Sequence, residues 1–154
     1  MSTPEQAWIA LTQRTDLIKA EDAAAAFAAL KPVTADYMTG GSGSWEGFNL
    51  DTGHPTKDKM IELHWAGKNF RSTEDVEPIV VYDAEGKRTW NKDWGYARLR
   101  EMKFGDSNTI AMLYDDFPIV DYFHYVTDDL VAGAMDSKKM NSFGTYYFYL
   151  KRIA

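Results

Sequence analysis

The 154-residue sequence contains no cysteine, which removes disulfides and thiol chemistry from both fold and function. No apolar run approaches the roughly 20 residues that a helix needs to cross a bilayer. No basic cluster offsets a formal net charge of −6, which argues against nucleic acid or an anionic membrane as the main partner. The three histidines are scattered without metal-ligand spacing, and there is no HExxH pair. The nucleophile elbow GxSxG, the phosphate loop and the dinucleotide fingerprint are also missing. The opening residues show no basic region ahead of an apolar block, so no secretion signal is expected and a cytoplasmic protein is the default.

What is present is a chain that folds. Hydrophobic residues make up 45% and aromatics 14%, too much apolar material for a disordered chain. The length fits a single domain over 1–154, able to bury roughly 70% of its unfolded surface. The chain is organised around Gly40 to Pro55, GGSGSWEGFNLDTGHP. At its centre, Gly43, Trp45 and Gly47 alternate on a short strand. Strand alternation puts Trp45 on one face with the two glycines, and Ser44, Glu46 and Phe48 on the other. A large ring between residues without side chains has room above and below it, and the floor of a closed antiparallel barrel provides that geometry.

Residues 1–37 read as a helical cap and 38–154 as the barrel. Thr3-Pro4-Glu5-Gln6 is a capping box with proline at the first helical position. A second helix is predicted over Ala20 to Leu30, with Glu21 and Asp22 at its positive end. These two helices either plug one end of the barrel or simply complete its core. A third helix runs from Pro55 to about Ala66, with Gly67 as its terminating glycine. From Lys68 onward the text is β. Strands are predicted over Lys68–Ser72, Pro78–Asp83, Lys87–Trp90, Tyr96–Phe104, Ser107–Tyr114, Ile119–Val126, Leu130–Ser137 and Thr145–Ile153, separated by Asp/Gly-rich turns. With the Trp45 strand this gives about nine antiparallel strands. Full closure, which removes exposed edges, favours a barrel over a sandwich.

The ordered motifs GSWEGFNLDTGHP, WAGKNF, GYARLREMKFG, IAMLYDDFPIVDYFHYV, VAGAMD and YFYLKRI resemble the bacterial GXWXG family with its C-terminal domain of unknown function. The resemblance spans Met38 to Ile153. It implies a mainly β, calycin-like barrel of the lipocalin and fatty-acid-binding kind, and it brings no settled activity. The GxWxG start is also similar to that of nitrobindin-type haem barrels, which makes haem a possible cofactor. Fatty-acid-binding barrels hold a carboxylate with Arg-x-Tyr on the last strand, but here the region reads Tyr149-Leu150-Lys151-Arg152. Lipocalin-type barrels stack a late arginine over the first-strand tryptophan, and Arg152 is placed to do so over Trp45.

Fifteen of the 22 aromatic residues follow residue 78. A ring-lined lumen with a few polar tips is the usual form of a small-molecule pocket, and a filled barrel with tyrosine tips at its rim is the alternative. The candidate lining comprises Tyr82, Tyr96, Met112, Tyr114, Phe123, Met135 and Tyr147, with Arg98, Arg100, Asp121 and His124 as polar members. Arg98 and Arg100 share a face with Tyr96. Facing inward they would anchor a carboxylate; facing outward they are solvated. An inward Asp121 needs a partner, and either arginine is the natural candidate. His124 reads as a ligand contact, a haem ligand, a general base or a satisfied structural group. Three functions remain open: binding of a small apolar or amphipathic molecule such as a fatty acid or aromatic compound, a haem or acid/base barrel using His124 with Tyr122 or Asp121, and a structural module. The chain is expected to be a monomer or homodimer.

Overall fold

The computed structural model describes residues 2–154. Helix α1, Pro4–Thr12, has the expected capping box: the Thr3 hydroxyl accepts from Gln6 N and the Gln6 side chain accepts from Thr3 N. Helix α2 is Ala20–Ala28. Ten strands follow the helical start, in one antiparallel sheet. They are β1 (Lys31–Pro32), β2 (Ser44–Asn49), β3 (Trp65–Ser72), β4 (Asp75–Tyr82), β5 (Arg88–Trp90), β6 (Ala97–Phe104), β7 (Ser107–Tyr114), β8 (Ile119–Thr127), β9 (Leu130–Ser137) and β10 (Tyr146–Arg152). Short helix α3, Ala35–Thr39, precedes β2, and α4, Thr56–Leu63, joins β2 to β3.

The sheet closes on itself. Neighbours run β8, β7, β6, β4, β3, β2, β10, β9, and β9 pairs back onto β8 from Ile119↔Ser137 to Thr127↔Leu130. Two strands lie off this ring. β5 pairs only with β4, and β1 pairs Lys31 and Pro32 with Tyr125 and His124 of β8. The ring is unevenly stitched. β6 and β7 pair along their whole length, whereas β4 meets β6 at the single register pair Val76↔Ala97. A bond from Leu99 N to Thr73 O, 2.8 Å, reinforces that junction.

The two N-terminal helices do not plug an end. They lie on the outside of the wall, where Trp8, Ile18, Ala23, Phe27 and Leu30 pack on Ala111, Tyr122, Val126, Ala132, Ala134 and Tyr147. The reason is legible in β8 to β10. Tyr122, Val126, Tyr147 and Tyr149 point outward while Phe123, Phe148 and Leu150 point inward, and strands apolar on both faces need cover on both. Of the two expectations for these helices, the one in which they complete the core describes them. Two small elements, α3 and β1, were not expected. Residues 31–39 are too short to show a period, and Thr34 caps α3 by accepting from Tyr37 N at 3.2 Å.

The glycine–tryptophan strand works differently from the simple alternation argument. Trp45 is fully buried and faces inward, its indole N–H donating to Met38 O at 2.9 Å. The Arg152 guanidinium lies 4.3 Å from the Trp45 ring and donates to the carbonyls of Tyr37, Gly40 and Asp128. The two motif glycines make room for other groups. Gly43, at φ 71°, accepts from Phe70 N at 2.7 Å, and a Cβ there would run into the Phe70 carbonyl. A Cβ on Gly47 would occupy the space of the Trp65 indole. Gly67 does not end α4 either. Left-handed His64 (φ 57°, ψ 48°) ends it, and Gly67 sits inside β3 where its backbone touches that of Trp45.

Candidate functional site

One part of the ring interior is filled by Met38, Trp45, Phe70, Phe123, Val131 and Leu150. The other part encloses a cavity of about 330 Å³. Its walls are Trp65 and Lys68 of β3, Ile79 of β4, Tyr114 of β7, Ile119 and Asp121 of β8, Met135 and Ser137 of β9, and Tyr146 and Phe148 of β10. Thr56, Lys59 and Met60 of α4 complete it, together with Trp94 and Met140 from the connections before β6 and β10.

The wall is mostly apolar, and one buried charged pair is set into it. Lys68 Nζ lies 3.1 Å from Asp121 Oδ2, and the two side chains are each 3% exposed. Lys68 is turned inward on a strand whose register slips twice around it, between Trp65 and Gly67 and again between Gly67 and Asn69. Nζ also donates to Pro78 O at 3.0 Å. Three rings box it in, with centroids at 5.4 Å (Phe148), 5.6 Å (Trp65) and 5.7 Å (Tyr114), each within cation–π range. Two of those rings depend on glycines: Trp65 lies over Gly47 and Phe148 over Gly133, where a Cβ would collide with them.

Burial acts on both charges. It pulls the Lys68 ammonium below the ordinary lysine value, and the nearby Asp121 carboxylate only partly opposes this. It pushes the Asp121 carboxyl above the ordinary aspartate value, against the pull of Lys68. Burial thus narrows the gap between the two groups, and the pair carries zero net charge whether the proton is on nitrogen or on oxygen. Asp121 Oδ1 is buried and has no hydrogen-bond partner within the protein. The hydroxyls of Tyr114 and Tyr146 are held well above the ordinary tyrosine value, first by burial and then by the Asp121 charge, so both stay protonated donors. Tyr146 already donates to Asn49 Oδ1.

The expected lining residues divide sharply. Tyr114, Asp121 and Met135 line the cavity, and Met112 and Phe123 face the same interior within its filled part. The inward reading of the two β6 arginines is corrected. Arg98 pairs with Asp115 at 2.6 Å and Arg100 with both Glu74 oxygens at 2.6 and 3.0 Å, all on the outer surface. Asp121 is therefore partnered by Lys68 instead. Tyr82 and Tyr96 are exposed on the outside, Tyr96 stacked on Trp90 at 4.3 Å. Tyr147 lies outside the ring beneath α1, edge-on to Trp8.

His124 also faces outward, under α2. Its ring stacks on Phe27 at 4.2 Å and Phe104 meets it edge-on. Nδ1 lies 2.8 Å from Phe27 O, a carbonyl that can only accept, so Nδ1 carries the proton. Burial holds this imidazole below the ordinary histidine value and keeps it neutral. With Phe27 against its face, His124 has neither room for a haem nor access to a substrate in the ring, and no step is assigned to it. His54 is structural too: its Nδ1 accepts from Thr56 N at 3.1 Å at the start of α4. Among the described residues, no three His, Asp or Glu side chains cluster as a metal site.

Lys68 is the residue that sequence reasoning missed. The signal was a lone lysine in WAGKNF, beside glycine and between aromatics, with a lone aspartate in the equally apolar IVDYF. Opposite single charges in two apolar strands are the mark of a buried pair.

Closed antiparallel sheet, outer helical layer and apolar interior with one charged pair together define a mainly β protein with a cavity in one part of its strand ring. Residues 25–86 match the GXWXG protein family, and residues 95–152 match a domain of unknown function (DUF4334). A protein of known crystal structure from Thermomonospora curvata is 31% identical, covers 99% of this chain and 100% of its own, and superposes with a TM-score of 0.90. The chain belongs to the GXWXG family. No functionally curated protein matches it. No helix among the described residues is long and apolar enough to cross a membrane.

Proposed function

We propose that the protein binds a compact, mostly apolar small molecule inside the strand ring, which we read as a calycin-like barrel. The observation that carries this is the Lys68–Asp121 pair at the edge of an apolar cavity, with Asp121 Oδ1 left unmatched. A buried polar atom without a partner costs about 1–3 kcal/mol, and a ligand group that meets it recovers that cost. A volume of about 330 Å³ lies at the small end of the roughly 300–1,000 Å³ range of ligand sites. It suits a one- or two-ring molecule better than a long acyl chain.

The head group follows from charge. Lys68 and Asp121 sum to zero wherever the proton sits, so a carboxylate placed at the pair would be buried without a net counter-charge, and only Lys59 at the exposed rim could offset one. A neutral carbonyl or hydroxyl fits better, accepting from Lys68 or exchanging a hydrogen bond with Asp121 Oδ1. A fatty acid would have to bring a proton with it.

The test is native mass spectrometry of protein purified from its host, followed by titration of Trp fluorescence, since Trp65 and Trp94 line the cavity. Small aromatic aldehydes, ketones and alcohols are expected to quench at lower concentration than the matching carboxylic acids. Absence of any response across these classes removes the reading.

A further inference from the structure

We propose that Lys68 is a carbonyl-reactive amine, and that an aldehyde or ketone in the cavity condenses with it while Asp121 handles the protons. The inference rests on the binding reading above and narrows its ligand to a class.

Three observations carry it. First, Lys68 Nζ borders the cavity, and its two fixed acceptors, Pro78 O and Asp121 Oδ2, match the two hydrogens of a neutral amine. With the Asp121 proton on Oδ1, a neutral Lys68 held this way keeps its lone pair free. Second, the other oxygen of the same carboxyl, Asp121 Oδ1, is buried without a partner, and Asp121 lines the cavity. Third, the box of Trp65, Tyr114 and Phe148 around Nζ suits a cation that stays in place after reaction. Burial, by contrast, favours the neutral amine, the form that attacks. An arginine would have served a purely structural bridge, with more donors and a more persistent charge. Lysine is the side chain whose nitrogen becomes a nucleophile when desolvated.

The step balances without any further reagent. The Lys68 lone pair forms a bond to the carbonyl carbon, and a proton passes from nitrogen to the carbonyl oxygen to give a carbinolamine. Asp121, in its protonated form, gives its proton to that hydroxyl. The C–O bond breaks, water leaves, and the nitrogen lone pair closes the C=N bond. A protonated imine then faces an Asp121 carboxylate, inside the ring box that held the ammonium. Hydrolysis reverses each move. No electrons leave or enter, so neither oxidant nor reductant takes part.

Benzaldehyde with sodium borohydride tests it on the full-length protein, read by intact mass and peptide mapping. Benzyl alcohol, which cannot condense, reports binding alone by saturation-transfer NMR. The expected result is one added benzyl group, mapped to Lys68 at least tenfold faster than to exposed Lys19 or Lys138. Asp121→Asn, its fold checked by circular dichroism, is expected to slow trapping at Lys68 by about 10²-fold. Lys68→Arg is expected to lose the adduct, its fold being checked by circular dichroism. The wild-type peptide map decides even where a variant fails to fold. Binding of benzyl alcohol with trapping only on surface lysines overturns this inference and leaves the binding reading standing. Neither binding nor trapping overturns both.

Discussion

Lys68 and Asp121 meet at 3.1 Å from opposite sides of the ring. Around the eight closed strands, β3 and β8 are four places apart in either direction. Eight strands leave an interior that side chains from opposite walls can fill, so the two can meet across it. The rings of Phe70 and Phe123, on the same two strands, also touch across the interior, edge-to-face at 5.7 Å. The interior is thereby divided into a solid part and a hollow one.

This crossing bridge leads to a test by paired substitution. Lys68→Met or Asp121→Leu alone leaves a buried charge without its partner and is expected to destabilise by about 3–5 kcal/mol. The double variant Lys68→Met/Asp121→Leu is expected to fold with a stability within about 1 kcal/mol of wild type, since apolar pairs of similar volume replace buried ion pairs without loss. Urea denaturation measures all three. The stable double variant should have lost affinity for aldehydes, ketones and alcohols. If it kept that affinity, the pair would have no part in binding.

The two buried histidines make stability fall in mild acid. Burial lowers the folded-state values of His54 and His124 below the ordinary 6.5. Below pH 6.5 the unfolded chain binds protons that the folded chain refuses, so stability rises with pH in that window. It is complete above 6.5 and declines as the pH falls through the lowered folded values. His124→Asn keeps a donor for the Phe27 carbonyl and removes the titration. Its denaturation midpoint should fall less than that of wild type between pH 6.5 and 5. An unchanged slope would show that His124 ionises freely in the folded protein.

Gly133 and Gly47 give the aromatic box its space. Gly133→Ala or Gly47→Ala forces the Phe148 or Trp65 ring aside, and overpacking of this kind costs about 1–3 kcal/mol. Loss of stability should be accompanied by a shift in Trp fluorescence for Gly47→Ala, because Trp65 must move. Wild-type stability in both variants would mean that the rings have other places to go.

The outer arginines should matter little. Arg98 and Arg100 are paired at the surface, where such contacts contribute about 0–1 kcal/mol. Arg98→Ala and Arg100→Ala are expected to leave both melting temperature and ligand titrations close to wild type. A large loss of binding in either would return β6 to the site.

The strands were easy to read where turn chemistry bounded them. Ser107–Tyr114 and Leu130–Ser137 appear in the structure with the boundaries expected from Gly105-Asp106, Thr127-Asp128-Asp129 and their neighbours. The capping box of α1 was equally plain. Facing was harder. On β6, Arg98, Arg100, Met102 and Phe104 alternate with Leu99, Glu101 and Lys103, so both faces carry charge and the pattern is silent. On β8 both faces are apolar, because an outer helical layer covers the side bearing Tyr122 and His124. The Lys68–Asp121 bridge joins residues 53 positions apart on strands that are not neighbours, and no local period encodes such a meeting.

The junction of β4 and β6, held at Val76↔Ala97 and by the Leu99–Thr73 bond, has one more consequence. Amide exchange with deuterium should start there, because a breach costs fewer bonds at that border than at any other round the circle. Ile79 and Trp94 stand on its two sides and both reach the hollow. Loosening at that border leaves intact the β8–β9 hairpin that fastens the circle.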